Sequence, residues 1–394
     1  MKTQNIENIK KNISTVVRKI GNKKRFFLHE PHLDKIDIKY LEKCIKSGFV
    51  STAGNLISKF ENKIKNYTKS KNVIATINGT SAIHVTLRAL GIKKNDEILM
   101  PSLNFVASAY AANYLGCIPH FVDVDKNTLG IDPIKLNKYL QEICFKKNNS
   151  YYNKKTRRRI KAIIGVHLFG HSFHVDKISK IAKKYKLFFV EDAAEAFGSF
   201  YNRKHLGNFG IAGILSFNGN KIITTGGGGA VLTNNRKLAK KIRNLINNSK
   251  INHLWKYDYS DIGYNYKMTN LNASLGYSQL LKIKKILNLK KRIHKLYKKS
   301  FKNYNNIKLV ESPKNCKSNY WLNTIYIKDI NIRDRDHVLK LLNNDGIQSR
   351  PVWNLLHKLN FFLKCPKSEL KVSEDLFSKM ISLPSGPNLL RKEI

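Results

Sequence analysis

From residue 71 onward, short apolar runs rich in β-branched residues alternate with longer stretches of helical periodicity. NVIATI (72–77) predicts a strand, and after Asn78-Gly79-Thr80-Ser81 the run AIHVTLRALGI predicts a helix. EILMPS (97–102) predicts the next strand, ASAYAANYLG a helix ended by Gly116, and CIPHFVDVD a third strand. A helix over about 134–144 follows, then a basic stretch, then the strand KAIIGVHLFG. VDKISKIAKKYK predicts a helix, and LFFVED, GILSFN and GAVLTN predict three further strands. Strands alternating with helices of this length imply βαβ units and a mostly parallel sheet covered on both faces, an α/β fold.

After residue 270 the pattern changes. A long helical stretch, about 270–304, leads into a smaller α+β segment. There YWLNTIYI and GIQSRPVW predict strands and RDHVLKLLNN a helix. The division that follows is an N-terminal arm at 1–28, a large α/β domain at 29–269, and a connecting helix with a small C-terminal domain at 270–394. The total of 394 residues suits two domains, and 42% hydrophobic residues supply a large core.

No run reaches the roughly 20 apolar residues that a membrane span needs. The basic N-terminus has no apolar core and no small-residue cleavage site, so no signal peptide is read and the cytoplasm is the expected location. Cys44, Cys117, Cys144, Cys316 and Cys365 are scattered without a CxxC pair, which suits neither zinc nor a disulfide framework. The net charge of +45 would draw anions. Lys, Asn and Ile are abundant along the whole chain, as compositional drift would leave them, and no specific nucleic-acid site is expected. The densest basic runs are Lys146–Arg159, read as a solvated loop insertion, and Lys282–Lys302, read as an amphipathic helix whose charges line its wet face.

In an open parallel sheet, ligands sit beyond the carboxyl ends of the strands. Four polar clusters fall there. Asn78-Gly79-Thr80-Ser81 opens a helix, where free N–H groups and the dipole suit a phosphate, though Ser and Thr also serve there as plain caps. Glu191-Asp192-Ala193-Ala194-Glu195 ends a buried strand, where an acid facing a ring nitrogen would keep it protonated, or would merely cap the turn. Ser216-Phe217-Asn218-Gly219-Asn220-Lys221 places a lysine just past an apolar strand and before four glycines. Enclosure favours the neutral amine that a Schiff base requires. His167 and His171 straddle a strand end and a turn, lack further local ligands, and predict hydrogen bonding rather than metal binding.

SFNGNKIITTGGGGAVLTN, VEDAAEAFGS, INGTSAIHVTLRALG and DIGYNYKMTNLNASLGYSQL together resemble motifs of the DegT/StrS-type sugar aminotransferases, in order and spacing, from about Leu28 to near the C-terminus. The resemblance implies a fold-type-I transferase dependent on pyridoxal 5′-phosphate. It implies that Lys221 binds the cofactor and moves protons, Asp192 holds the pyridine nitrogen, and Glu195 lies near the phenolic oxygen, where many relatives have glutamine. Gly79, Thr80, Ser81 and Ser216 would bind the phosphate and Phe105 would stack on the ring. Asn265 would reach the cofactor phosphate of a neighbouring subunit, which requires a homodimer.

LHEPHLD, GFVSTAGNLISKFE, SNYWLN and LPSG resemble the branch that aminates UDP-linked 4-keto-6-deoxy-2-acetamido sugars, with L-glutamate as the donor. Departures from the family are Lys267 in place of a frequent arginine, the basic insertion around 146–159, and the charge. Related sugar dehydratases carry histidine where Lys221 stands. A nucleic-acid-binding or regulatory protein on the same scaffold would have no need of Lys221, Asp192 and the phosphate turn together.

Overall fold

The structure, a computed structural model, describes residues 3–390. Its main sheet runs through β1 (Asn72–Thr76), β2 (Glu97–Pro101), β3 (Ile118–Val122), β4 (Arg159–Val166), β5 (Phe188–Asp192), β6 (Ala212–Ser216) and β7 (Gly229–Thr233). The spatial order is β1-β7-β6-β5-β4-β2-β3. Neighbours are parallel except β7, which is antiparallel to both β1 and β6. The strands are mostly apolar and largely buried, as a sheet covered on both faces requires. Because β7 runs backwards, its first residue, Gly229, lies opposite Thr76 of β1 and Ser216 of β6. The carboxyl ends of β1, β5 and β6 and the start of β7 therefore converge on one rim.

The basic stretch is a hairpin rather than a loop. Cys144–Lys147 pairs with Ser150–Asn153 across Asn148 and Asn149, both at positive φ (45° and 60°), the backbone of a tight two-residue turn. The second arm pairs with β4 at Tyr151 and Tyr152. Asn153 and Thr156 donate to the fully buried carboxylate of Glu97 on β2, which also meets His120 Nδ1 at 2.9 Å. Lysine and asparagine density hid the three aromatic residues that pack the hairpin, Phe145 against Tyr152 and Tyr151 against Tyr185.

The long helical stretch is two helices, α3 (Asn270–Leu281) and α4 (Ile283–Phe301). They break at Lys282, whose ammonium pairs with Asp34 and Asp37. Ile283, Ile286 and Ile293 face inward as expected, and Tyr297 and Phe301 continue that face. Lys290 does not follow the expected wet face: it is fully buried, and its Nζ donates to the carbonyls of Trp321 and Ser385.

A second core forms around an antiparallel sheet of β8 (Ile307–Leu309), β9 (Asn323–Ile327), β10 (Arg350–Pro351) and β11 (Met380–Leu383), in the order β8-β9-β11-β10. Helix α1 (Thr3–Gly21) packs into it through Ile6, Ile9, Ile13, Val16 and Val17, against Ile293, Tyr297 and Phe301. Among the described residues no helix is long and apolar enough to cross a membrane.

Candidate active site

The rim of the main sheet opens into a cavity of about 280 Å³. Asn78 caps α2 (Gly79–Ala89) by accepting the N–H of Ser81 at 2.7 Å. The N–H groups of Gly79 and Thr80 have no acceptor within the helix, and both residues line the cavity. Ser81 lies in the same turn, buried behind them. A Cβ on Gly79 would come within 3.2 Å of Ser216 Cβ, so the glycine lets β6 and the helix start close up. Ser216 faces the same space from the end of β6.

Asp192 enters from the end of β5. Its Oδ2 accepts from Ser108 Oγ at 2.6 Å and its Oδ1 from the N–H of Ala194 at 3.1 Å. Strand alternation sends Glu191 the other way. Glu191 accepts the N–H groups of Gly207, Phe209 and Gly210 and meets His167 Nε2 at 2.9 Å. It is a structural carboxylate that folds the 207–210 loop, and His167 belongs to that network, stacked on Phe173. Burial, with the nearby His294, holds His171 down to about 3, so its ring is neutral at ordinary pH. Among the described residues no group of three His, Cys, Asp or Glu is placed to hold a metal.

Lys221 reaches the cavity from the loop after β6. Its Nζ lies 3.8 Å from Glu195 Oε1 and 3.9 Å from the centroid of the Trp321 ring. Burial lowers its pKa, against the opposing pull of Glu195 and Asp192. Burial pushes the Glu195 carboxyl up to about 7, with the charge of Lys221 opposing. Its other oxygen accepts the N–H of Phe169 at 2.7 Å. Phe169 holds φ at 57°, a left-handed conformation that a bulky residue adopts at a cost of order 1–3 kcal/mol and that is typical of functional sites.

Phe105 lines the cavity at its mouth, half exposed, with its ring edge toward Trp353. Asn265 lies elsewhere: it is exposed, bridges to Asn247, and is not part of this cavity.

Several residues of the site went unforeseen. Asn104 lines the cavity with a buried amide Nδ2 that has no hydrogen-bond partner among the described residues, and Ser108, behind the lining, anchors Asp192. Trp321 and Trp353 come from the C-terminal segment with ring planes 8° apart, and Phe169 stacks on Trp353 at 5.4 Å. These rings also wall a second cavity of about 500 Å³ that shares Asn220, Trp321 and Trp353 with the first and adds His29, Gln348 and Arg350. The sequence signals were the rarity of tryptophan, three residues in the chain, two of them here, and the place of Trp321 in the SNYWLN stretch.

These residues fit pyridoxal 5′-phosphate. A helix start with free N–H groups and hydroxyls suits its phosphate, an anchored carboxylate suits its ring nitrogen, and an enclosed lysine suits its aldehyde.

The relatives agree. The chain is 33% identical to the GDP-perosamine synthase of Escherichia coli O157:H7, over 93% of this chain and 95% of that one. It is 30% identical to the UDP-4-amino-4,6-dideoxy-N-acetyl-beta-L-altrosamine transaminase of Campylobacter jejuni, over 92% and 93%. Its fold superposes with a TM-score of 0.83 on Helicobacter pylori PseC, an aminotransferase involved in the biosynthesis of pseudoaminic acid, at 26% identity over 92% and 94% of the two chains. The match to the DegT/DnrJ/EryC1/StrS aminotransferase family covers residues 31–394. With lysine, carboxylate and phosphate turn gathered in one cavity, the chain belongs to that family, whose aminotransferases depend on pyridoxal 5′-phosphate.

Proposed function

We propose that this protein is a sugar-nucleotide aminotransferase that moves the amino group of L-glutamate onto a nucleotide-linked 4-keto-6-deoxy sugar, with the UDP-linked 2-acetamido sugar as its acceptor. The observation that carries the reading is the enclosure of Lys221 in one cavity with Asp192 and the Gly79–Thr80 turn. Bound there, pyridoxal phosphate supplies an electron sink through which an amino group leaves one carbon and joins another.

The chain's own residues do the rest. Asp192, fixed by Ser108 and the Ala194 N–H, is a charged acceptor for a ring N–H. Gly79, Thr80 and Ser216 line the cavity and offer donors to a phosphate, with Ser81 in the turn behind them, and Phe105 covers the mouth. Lys221 takes and returns protons, a role that its lowered pKa favours. The outer cavity offers flat indole and phenyl faces between polar ends at His29, Gln348 and Arg350, a lining suited to the apolar face and hydroxyls of a sugar.

Two measurements test the reading. The visible absorption band of the holoenzyme should fade on adding L-glutamate and be missing in Lys221→Ala; a Lys221→Ala protein with wild-type turnover would remove the central role. Turnover of UDP-, GDP- and dTDP-linked 4-keto sugars should favour UDP, and a clear preference for either of the others overturns the carrier assignment.

We also place the active form in the cytoplasm as a homodimer with shared sites. The exposed Asn265, together with exposed Leu254, Trp255, Tyr257 and Ile262 on the preceding segment, supports this. Mixing inactive Lys221→Ala and Asn265→Ala chains should then restore part of the activity through hybrid dimers, and light scattering of an active monomer would contradict it.

A further inference from the structure

We propose that Glu195 is the proton partner of Lys221: its carboxylate takes a proton from the Lys221 ammonium to free the amine for attack, and returns that proton when the lysine is released. In this transfer one N–H bond breaks and one O–H bond forms. The nitrogen keeps its electron pair, and both charges vanish together. The inference deepens the transaminase reading by naming the group that exchanges protons with the lysine.

The two carboxylates that flank Asp192 in the sequence show why. Glu191 is buried with three backbone N–H donors and a histidine around it, so its charge is fully compensated. Glu195 is almost as deeply buried, but a single N–H, that of Phe169, serves its Oε2. Its Oε1 faces Lys221. A buried carboxylate with one donor keeps its charge only while a cation stands opposite. When the ammonium loses its proton, the cheapest place for that proton is the adjacent carboxylate.

The other groups facing the pair do not compete. Asp192 already has Ser108 and the Ala194 N–H as donors. His29 is held neutral by burial and by the charges of Lys290 and Lys221. Trp321 offers only a π face and an N–H that is committed to Asn220. The 3.8 Å separation closes to proton-transfer distance with a small rotation of the lysine, and catalytic hydrogen bonds commonly tighten in this way. The opposite pKa shifts of the two groups, Glu195 up and Lys221 down, both driven by burial, agree with a pair that favours neutrality.

Competitive acetylation of the full-length chain freed of cofactor, followed on the Lys221 peptide by mass spectrometry, reads the neutral fraction of this amine at each pH. A proton-sharing pair gives two rises separated by a plateau. The lower rise belongs to loss of the first proton from the pair, the upper to loss of the second. Glu195→Gln should leave one rise, with its midpoint at least about one pH unit below the upper wild-type step. Well below its own midpoint, on the wild-type plateau, the variant amine should be less reactive than the wild-type one, because no carboxylate remains to take its proton.

A single rise in the wild type overturns the proposal without reference to any variant. Two rises that persist in Glu195→Gln overturn it as well, and assign the second proton to another group. The measurement needs neither cofactor nor sugar, so its failure is distinct from failure of the transaminase reading, which the glutamate spectrum tests.

Discussion

Lys221 Nζ lies 3.9 Å from the centroid of the Trp321 ring, and the same indole donates its N–H to the carbonyl of Asn220, the residue just before the lysine, at 2.6 Å. One side chain from the C-terminal segment thus fixes both the backbone that carries the lysine and the position of its amine. Trp321 is itself pinned, since its carbonyl accepts from buried Lys290 and its backbone N–H donates to Asn319 Oδ1. Trp321→Ala removes a desolvated cation–π contact of about 2 kcal/mol and a hydrogen bond of about 1 kcal/mol. Together these predict a loss of roughly a hundredfold in kcat/KM for L-glutamate. Trp321→Phe keeps the face and should lose only about fivefold. Equal kinetics for the two variants would show that the ring face does not matter.

Ser108 is the side-chain donor to Asp192, at 2.6 Å, from the first turn of the helix Ala107–Asn113. Hydrogen bonds to a charged group contribute about 1.5–3 kcal/mol, so Ser108→Ala should slow the glutamate half-reaction by about tenfold or more. Asp192→Asn, which removes the charge itself, should cost more than Ser108→Ala. Single-turnover spectroscopy separates this effect from binding. A Ser108→Ala enzyme as fast as wild type would mean that the Ala194 N–H alone fixes the carboxylate.

Much of this was legible from residue order alone. The alternation of apolar runs and helices set out the main sheet, because strands buried on both faces read as short apolar runs such as Val73-Ile74-Ala75 and Phe188-Phe189-Val190. The carboxyl ends of those strands then located Gly79, Thr80, Asp192, Glu195, Ser216 and Lys221, which do share one cavity. The hairpin at 144–153 was not legible, because charge density masked its few aromatic residues and its anchor, Glu97, lies about fifty residues earlier in the chain. Nor was the burial of Lys290, since a lysine in a basic helix reads as solvated until Trp321 and Ser385 are seen to supply their carbonyls. Trp321 and Trp353 needed the meeting of two distant segments, which no local pattern encodes.

Gly229 decides whether the phosphate turn can form. A Cβ there would meet Asn78 C and O at 2.5 Å and Gly79 N at 2.7 Å, and backbone atoms cannot swing aside as a side chain can. Gly229→Ala must therefore push the start of α2 away from β7 and spoil the N–H array. Cofactor affinity, read by equilibrium dialysis, should fall at least about tenfold, or about 1.4 kcal/mol. Gly219→Ala, whose Cβ would meet nothing within 4 Å, is the control and should bind as wild type does. Loss in both variants would point to general disruption of the loops instead.

Glu97 gives the fold a pH dependence of its own. Burial pushes its carboxyl pKa upward, but the bonds from His120, Thr156 and Asn153 outweigh burial and hold it below the ordinary value. A carboxyl with a depressed folded pKa stabilises the native state fully above its unfolded pKa, near 4.3, and loses that contribution as pH falls through the folded value. Glu97→Gln keeps the size but removes the charge that three partners are arranged to meet. It should cost about 3 kcal/mol at pH 7, as expected for breaking a buried charged network. The gap between variant and wild type should then begin to narrow as pH drops below the unfolded value and close as pH falls through the lower folded one, where the native carboxyl is protonated too. Urea midpoints at pH 7 and at several values below 5 measure that gap directly. A gap that stays constant with pH would mean that Glu97 acts through shape alone and that its charge contributes nothing to holding the hairpin on the sheet.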